Sequence, residues 1–243
     1  LWSSSHCPAL PPTGLKDWSS VRLELEMIEG TAARALTELE ENLKETFAEE
    51  MKKELQAKLK RVQQFAVDLT LDTDTANVNL SVSKDLKEVH NTDLRMFPDS
   101  PQRFIWRSIL TNFSSGRFYF EVQVKDKTAW TLGVAKQSVD RMNMKGLNSN
   151  YGYWCLDMAN INKYFACNDP PVPLSLKRAP QKVGVFVDYD EGLVSFYDAD
   201  SADLIYSFTD CSFREKLFPF LILVIAIVSR PKSNPPVLLA SFP

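Results

Sequence analysis

GRFYFEVQVKDKTAWTLGVAKQS, running from Gly116 to Ser138, is the stretch whose reading decides the fold. Phe118, Phe120, Val122 and Val124 fall on one face of an extended chain, and Tyr119, Glu121 and Gln123 fall on the other. A period of two marks a half-buried β-strand. The polar break Lys125–Lys127 leads into a second apolar run, Ala129–Ala135. Gly133 lies inside that run, where a glycine marks a bulge or a close backbone approach. Two such neighbours predict a hairpin in an all-β core.

The pattern continues toward the C-terminus. Short apolar stretches recur at 79–82, 153–158, 182–188, 193–198, 204–208, 218–228 and 237–241, separated by turn residues. Val183, Val185 and Val187 line one face, and Asp190–Glu191–Gly192 turns the chain into Leu193–Tyr197, a second hairpin. Many short strands without long intervening helices predict an antiparallel two-sheet β-sandwich over residues 66–243.

Residues 31–65 read differently. From Thr31 to Gln64 there is neither Gly nor Pro, and Ala, Leu, Glu and Lys dominate. This predicts a long helix with Thr31 as its N-cap. Leu36, Leu39, Leu43, Phe47, Met51, Leu55, Leu59 and Val62 form one stripe, edged by favourable pairs such as Glu40–Lys44 and Glu54–Lys58. The stripe is read as a self-association surface that makes a homodimer; packing on the following domain is the alternative. Residues 1–30 read as an irregular lead-in, with Pro8, Pro11, Pro12 and Gly14 among serines.

Composition narrows the function. A net charge of −3 over 243 residues gives no general attraction to nucleic acid or anionic membranes. The most apolar run, Phe220–Val228, is about half the length a membrane-crossing helix needs, and it suits a core strand better. Cys7, Cys155, Cys167 and Cys211 contain no C-x-x-C pair, so no zinc ribbon is indicated, and their scarcity suits a reducing, cytoplasmic setting. Only two histidines occur, His6 in the lead-in and His90 in an expected turn at Val89–Asn91. With no nucleophile elbow and no phosphate-cradling loop, no catalysis by this chain is expected. Asp188, Asp190 and Glu191 are read as hairpin-turn residues rather than a catalytic carboxylate pair.

A series of motifs then resembles the PRY–SPRY domain that ends many tripartite-motif proteins and some butyrophilins. It comprises Leu71–Asp72, Phe120–Val122, Leu132–Val134, Gly152–Trp154, Gly184–Tyr189, Val194–Tyr197 and Leu217–Phe220. The preceding helix resembles the coiled-coil-to-domain linker of tripartite-motif proteins, especially those of fishes. The resemblance implies a sandwich whose loops form a protein-binding cleft, serving as the target-selecting arm of an E3 ubiquitin ligase in innate immunity. The RING and B-box modules, and their zinc, would lie upstream; no cofactor is expected here. A non-catalytic scaffold or immune-type adaptor that self-associates through the helix is the other reading.

The expected cleft comprises Trp130, Thr131, Arg141, Asn148, Asn150, Tyr151, Trp154, Asp157 and Ala159. Thr131 stands where some relatives carry an acidic residue, and Asp157 and Ala159 stand where they carry tryptophans, so that aromatic platform is absent. Thr73 replaces a usual proline, Phe104–Asn112 lacks a usual leucine–glycine step, and the apolar Ile222–Val228 run replaces a Gly/Asn-rich loop.

Overall fold

In a computed structural model, the described residues are 18–74, 76, 80–91, 114–139, 146–159, 162–223 and 237–239. They divide into two units, Leu1–Lys52 and Lys53–Pro243.

Helix α1, Trp18–Gln63, begins well before the expected start. Thr31 is not its N-cap. The Thr31 hydroxyl donates to the Met27 carbonyl at 2.8 Å, one turn back, as an interior threonine does. The segment before Gly30 is itself rich in helix formers, and a single glycine costs only about 1 kcal/mol in a helix interior. In the first unit, Leu36, Leu39, Leu43, Phe47 and Met51 are all exposed, by 48–69%. The last turns of α1 belong to the second unit, where Leu55, Leu59 and Val62 pack with Tyr119, Phe186 and Ala202.

Twelve strands follow: β1 Leu80–Val82, β2 Glu88–Asn91, β3 Arg117–Gln123, β4 Trp130–Lys136, β5 Tyr153–Met158 and β6 Tyr164–Ala166; then β7 Val172–Leu174, β8 Lys182–Asp188, β9 Leu193–Asp198, β10 Leu204–Phe208, β11 Leu217–Leu223 and β12 Val237–Leu238. A four-stranded sheet, β10-β9-β8-β3, and a five-stranded sheet, β11-β4-β5-β6-β7, are antiparallel throughout; β1, β2 and β12 make a small third sheet. Phe118, Phe120 and Val122 of β3, Trp130, Leu132 and Val134 of β4, and Val183, Val185 and Val187 of β8 share one buried core cluster. This is the sandwich that the alternation predicts.

The expected β3–β4 hairpin does not form. β3 pairs with β8, whereas β4 pairs with β5 and β11, so the chain changes sheet between them. β3 is also buried on both faces, with Tyr119 at 0% exposure and Glu121 at 4%, because the end of α1 covers its outer side. The β8–β9 hairpin does form, with Asp188 opposite Leu193 and Gly192 at φ 62° in the turn. Asp188 acts there as a turn residue, accepting from the Glu191 amide at 3.2 Å and from Arg117 Nε at 2.6 Å.

His90 lies in strand β2, not in a turn. A turn at Ser83–Leu86 folds β2 back on β1, and β12 covers its other edge. The lead-in through residue 17 and the part of the apolar run beyond Leu223 lie outside the described residues. Among the described residues, no helix is long and apolar enough to cross a membrane.

Candidate functional site

Between β4 and β5 the chain closes with a one-turn 3-10 helix, Ser149–Tyr151. Asn148 builds it: the Asn148 side-chain oxygen accepts from the Asn150 amide at 3.0 Å and the Tyr151 amide at 3.3 Å. A short polar side chain that bonds the backbone two and three residues on is what makes Asn favour this position. Gly152 then turns the chain into β5 with φ 87°. Only glycine suits that position, since a Cβ there would also meet the Lys136 side chain at 2.8 Å.

This turn borders a cavity of about 360 Å³, lined by Ser149, Asn150, Trp154, Lys136, Asn168 and the Tyr206–Ser212 segment. Its polar groups are held in place by one another. The Ser149 hydroxyl donates to Asn168 Oδ1 at 3.2 Å, and Asn168 Nδ2 donates to the Tyr206 hydroxyl at 2.8 Å, linking the turn to β10 of the other sheet. Asn150 Nδ2 donates to Asp169 Oδ2 at 3.1 Å. Lys136 Nζ sits 5.7 Å from the Trp154 ring centre, a cation–π placement. The Trp154 ring packs edge-on against Phe213 at 4.8 Å, so the wall behind Lys136 is fixed. Burial pushes the Cys211 thiol in this wall up to about 12, so it is a neutral group at neutral pH.

The cavity therefore offers neutral hydrogen-bonding groups with one cation, Lys136, and one carboxylate, Asp210. That mixture suits the main-chain and polar side-chain groups of a protein surface. Among the described residues, no group of three or more His, Cys, Asp or Glu side chains is placed to hold a metal ion.

Of the expected cleft residues, Asn150 and Trp154 line this cavity, with Asn148 and the 59%-exposed Tyr151 in the same turn. Trp130 lies in the core between the sheets, 1% exposed, against Tyr164. Thr131 and Asp157 face each other across β4 and β5, and the threonine hydroxyl donates to Asp157 Oδ1 at 2.6 Å. Burial pushes the Asp157 carboxyl above the usual carboxylate range, and the Thr131 bond opposes that rise. Ala159 is half-buried beyond the end of β5, its amide bonded to the Lys163 carbonyl. Arg141 lies outside the described residues. Sequence reasoning missed Lys136, Asn168 and Tyr206. Lys136 reads as the end of an ordinary strand, and the other two join the site only through pairing between distant segments.

Comparison with known proteins places this architecture. A SPRY domain model matches residues 117–229, and a model of the SPRY-associated domain, PRY, matches residues 69–111. Human pyrin is 42% identical over 179 residues, covering 72% of this chain and 23% of pyrin. The human E3 ubiquitin-protein ligase TRIM68 is 41% identical over 161 residues, covering 64% of this chain and 33% of that protein. The chain thus spans between about a quarter and a third of these relatives. The crystal structure of the TRIM65 PSpry domain matches with a TM-score of 0.62 at 20% identity, over 75% of this chain and 94% of that one, a likeness of fold. From the matched motifs, the sandwich they build and the relatives that share it, the chain belongs to the PRY–SPRY family.

Proposed function

We propose that this chain is a protein-interaction module that recognises a target protein at the Lys136–Asn150–Tyr206 cavity. Within a longer cytoplasmic protein it serves as the target-selecting arm of a RING-type ubiquitin ligase. The observation that carries the reading is the cavity itself. Its neutral donors and acceptors are oriented by bonds that join both sheets, so little side-chain freedom is lost when a partner docks. The relation to TRIM68, an E3 ubiquitin-protein ligase by name, supports the ligase context.

The test is affinity capture from cell extract on immobilised full chain, followed by binding constants for each captured protein. Lys136→Glu is expected to weaken binding of the true target by about tenfold or more, since it reverses the only cation among the described residues that line the cavity. Capture of nothing, or equal binding by wild type and variant, would sink the assignment.

A second reading, self-association through α1, rests on a separate observation. Five large apolar side chains on this helix, Leu36 to Met51, are exposed in the single chain. Exposed apolar surface of this kind marks an interaction site. The solution mass of the full chain is expected to be that of a dimer, and Leu43→Glu with Phe47→Glu is expected to return it to a monomer. A wild-type chain that stays monomeric at high concentration rules this reading out.

A further inference from the structure

Two thiols stand opposite each other where β5 runs beside the end of β6, each next in sequence to a residue that lines the cavity. Cys155 is in β5 and Cys167 directly follows β6. With Leu156 opposite Ala166, the register extended by one step sets the two cysteines opposite each other. The Cys167 amide donates to the Cys155 carbonyl at 2.9 Å, so the two residues share a ladder bond. Both are free and belong to the same cluster on the outer face of the five-stranded sheet. Directly opposite residues that share a ladder bond in an antiparallel pair have Cα atoms about 5.5 Å apart. A disulfide accepts Cα separations of about 4.4–6.8 Å. On the other side of β5, Gly133 presses close: a Cβ there would lie 2.6 Å from Cys155 Cβ. Cys155 is thus confined between β4 and its partner thiol.

We propose that Cys155 and Cys167 form a peroxide-oxidisable dithiol that closes to an intrachain disulfide between β5 and β6. The entry point is Cys167, 6% exposed against 0% for Cys155. Its sulfur attacks one oxygen of hydrogen peroxide; the O–O bond breaks, and a sulfenic acid and one water result. The Cys155 sulfur then attacks the sulfenic sulfur. The S–O bond breaks, the thiol proton leaves with the hydroxyl as a second water, and the S–S bond forms. Two thiols are oxidised, and one peroxide is reduced to two waters. Burial pushes the Cys155 thiol well up, so its attack on the sulfenic sulfur is slower than that of an open thiol. Directly opposite Cβ atoms in an antiparallel ladder lie about 4.5–5.5 Å apart, against about 3.8 Å in a relaxed disulfide, and strained bonds of that kind are the readily reduced ones. The device is independent of the target assigned to the neighbouring cavity.

The experiment treats the 243-residue chain with rising hydrogen peroxide, quenches, and maps peptides with and without reductant. The expected result is a Cys155–Cys167 linked peptide, with the chain lighter by two hydrogens and restored by dithiothreitol. Cys155→Ser is expected to abolish the linked peptide and leave Cys167 as a sulfenic acid that dimedone traps. Should both thiols still alkylate after unfolding, at a peroxide dose that has consumed Cys211 in the same sample, the proposal is overturned. A bridge from either cysteine to Cys7 or Cys211 instead overturns it as well.

Discussion

The outer faces of the two sheets carry buried or half-buried carboxylates in opposite circumstances. On the four-stranded sheet, Glu121 is 4% exposed and has three partners: Tyr119 Oη donates to it at 2.8 Å, Gln63 Nε2 at 3.0 Å, and Lys182 Nζ lies at 3.0 Å. The last turns of α1 cover this face, with Leu59 buried against Tyr119 and Phe186. On the five-stranded sheet, Asp157 has the Thr131 hydroxyl and lies beside the apolar group formed by Tyr153, Cys155 and Phe220. A buried charge is tolerable where several donors meet it, and it costs stability where one does. The difference teaches that the last turns of α1 complete the sandwich, supplying the donor and the apolar cover that strand β3 needs on its outer side.

The most severe way to break the covered face is Gly184→Val. A Cβ at Gly184 would lie 2.1 Å from the Tyr119 hydroxyl, and Tyr119 is 0% exposed. Overpacking at a site without room is expected to lower the unfolding free energy by about 3 kcal/mol or more, read as the urea midpoint by tryptophan fluorescence. A loss under about 1 kcal/mol would mean that Tyr119 is free to move aside. Next, Leu59→Ala removes the apolar cover from the helix side. Its expected cost is about 2–3 kcal/mol, in the range for a buried leucine truncated in a core. An unchanged midpoint would show that the end of α1 does not dock.

Glu121→Ala removes the acceptor that Tyr119 and Gln63 share and the carboxylate that pairs with Lys182, with an expected cost of about 2 kcal/mol. Glu121→Gln retains one acceptor oxygen and is expected to recover part of that loss; equal losses for the two variants would point to packing rather than hydrogen bonding. The smallest effect belongs to the other sheet. The folded-state pKa of Asp157 is raised, so the folded chain holds this proton more tightly than the unfolded chain does. The associated stability is fully present below the unfolded carboxyl value of about 3.9 and is lost as pH rises through the folded value, staying lost above it. Asp157→Asn keeps an acceptor for Thr131 without the charge. Its melting temperature is expected to exceed that of wild type slightly at pH 7, with the two converging toward about pH 4. A variant less stable than wild type at pH 7 reverses the sign and assigns the carboxylate a favourable partner.

How much of this was legible beforehand depends on the range of the interaction concerned. Alternation along Phe118–Val124 and Val183–Val187, and the turn at Asp190–Gly192, are local properties, and they identify strands and a hairpin without reference to the rest of the chain. Gly133 likewise marks the close approach that it makes, since its missing Cβ would meet the Trp154 carbonyl at 2.1 Å. The expected β3–β4 hairpin fails because adjacency in sequence favours pairing, whereas the apolar faces Phe118–Val122 and Trp130–Val134 bury more by lining opposite walls of one core. The stripe of α1 was equally visible along its length, yet periodicity reports which face is apolar and not what covers it. By itself, then, the sequence determined the helix and the strands, which follow from backbone propensity and short-range pattern, while the family is carried by the resemblance of its motifs. Only the tertiary structure decided which strands share a sheet, that Leu59 is buried while Leu43 is exposed, and that Lys136, Asn150, Asn168 and Tyr206 meet at one cavity. Each of those outcomes is a contact between segments far apart in the chain, and no local pattern encodes it.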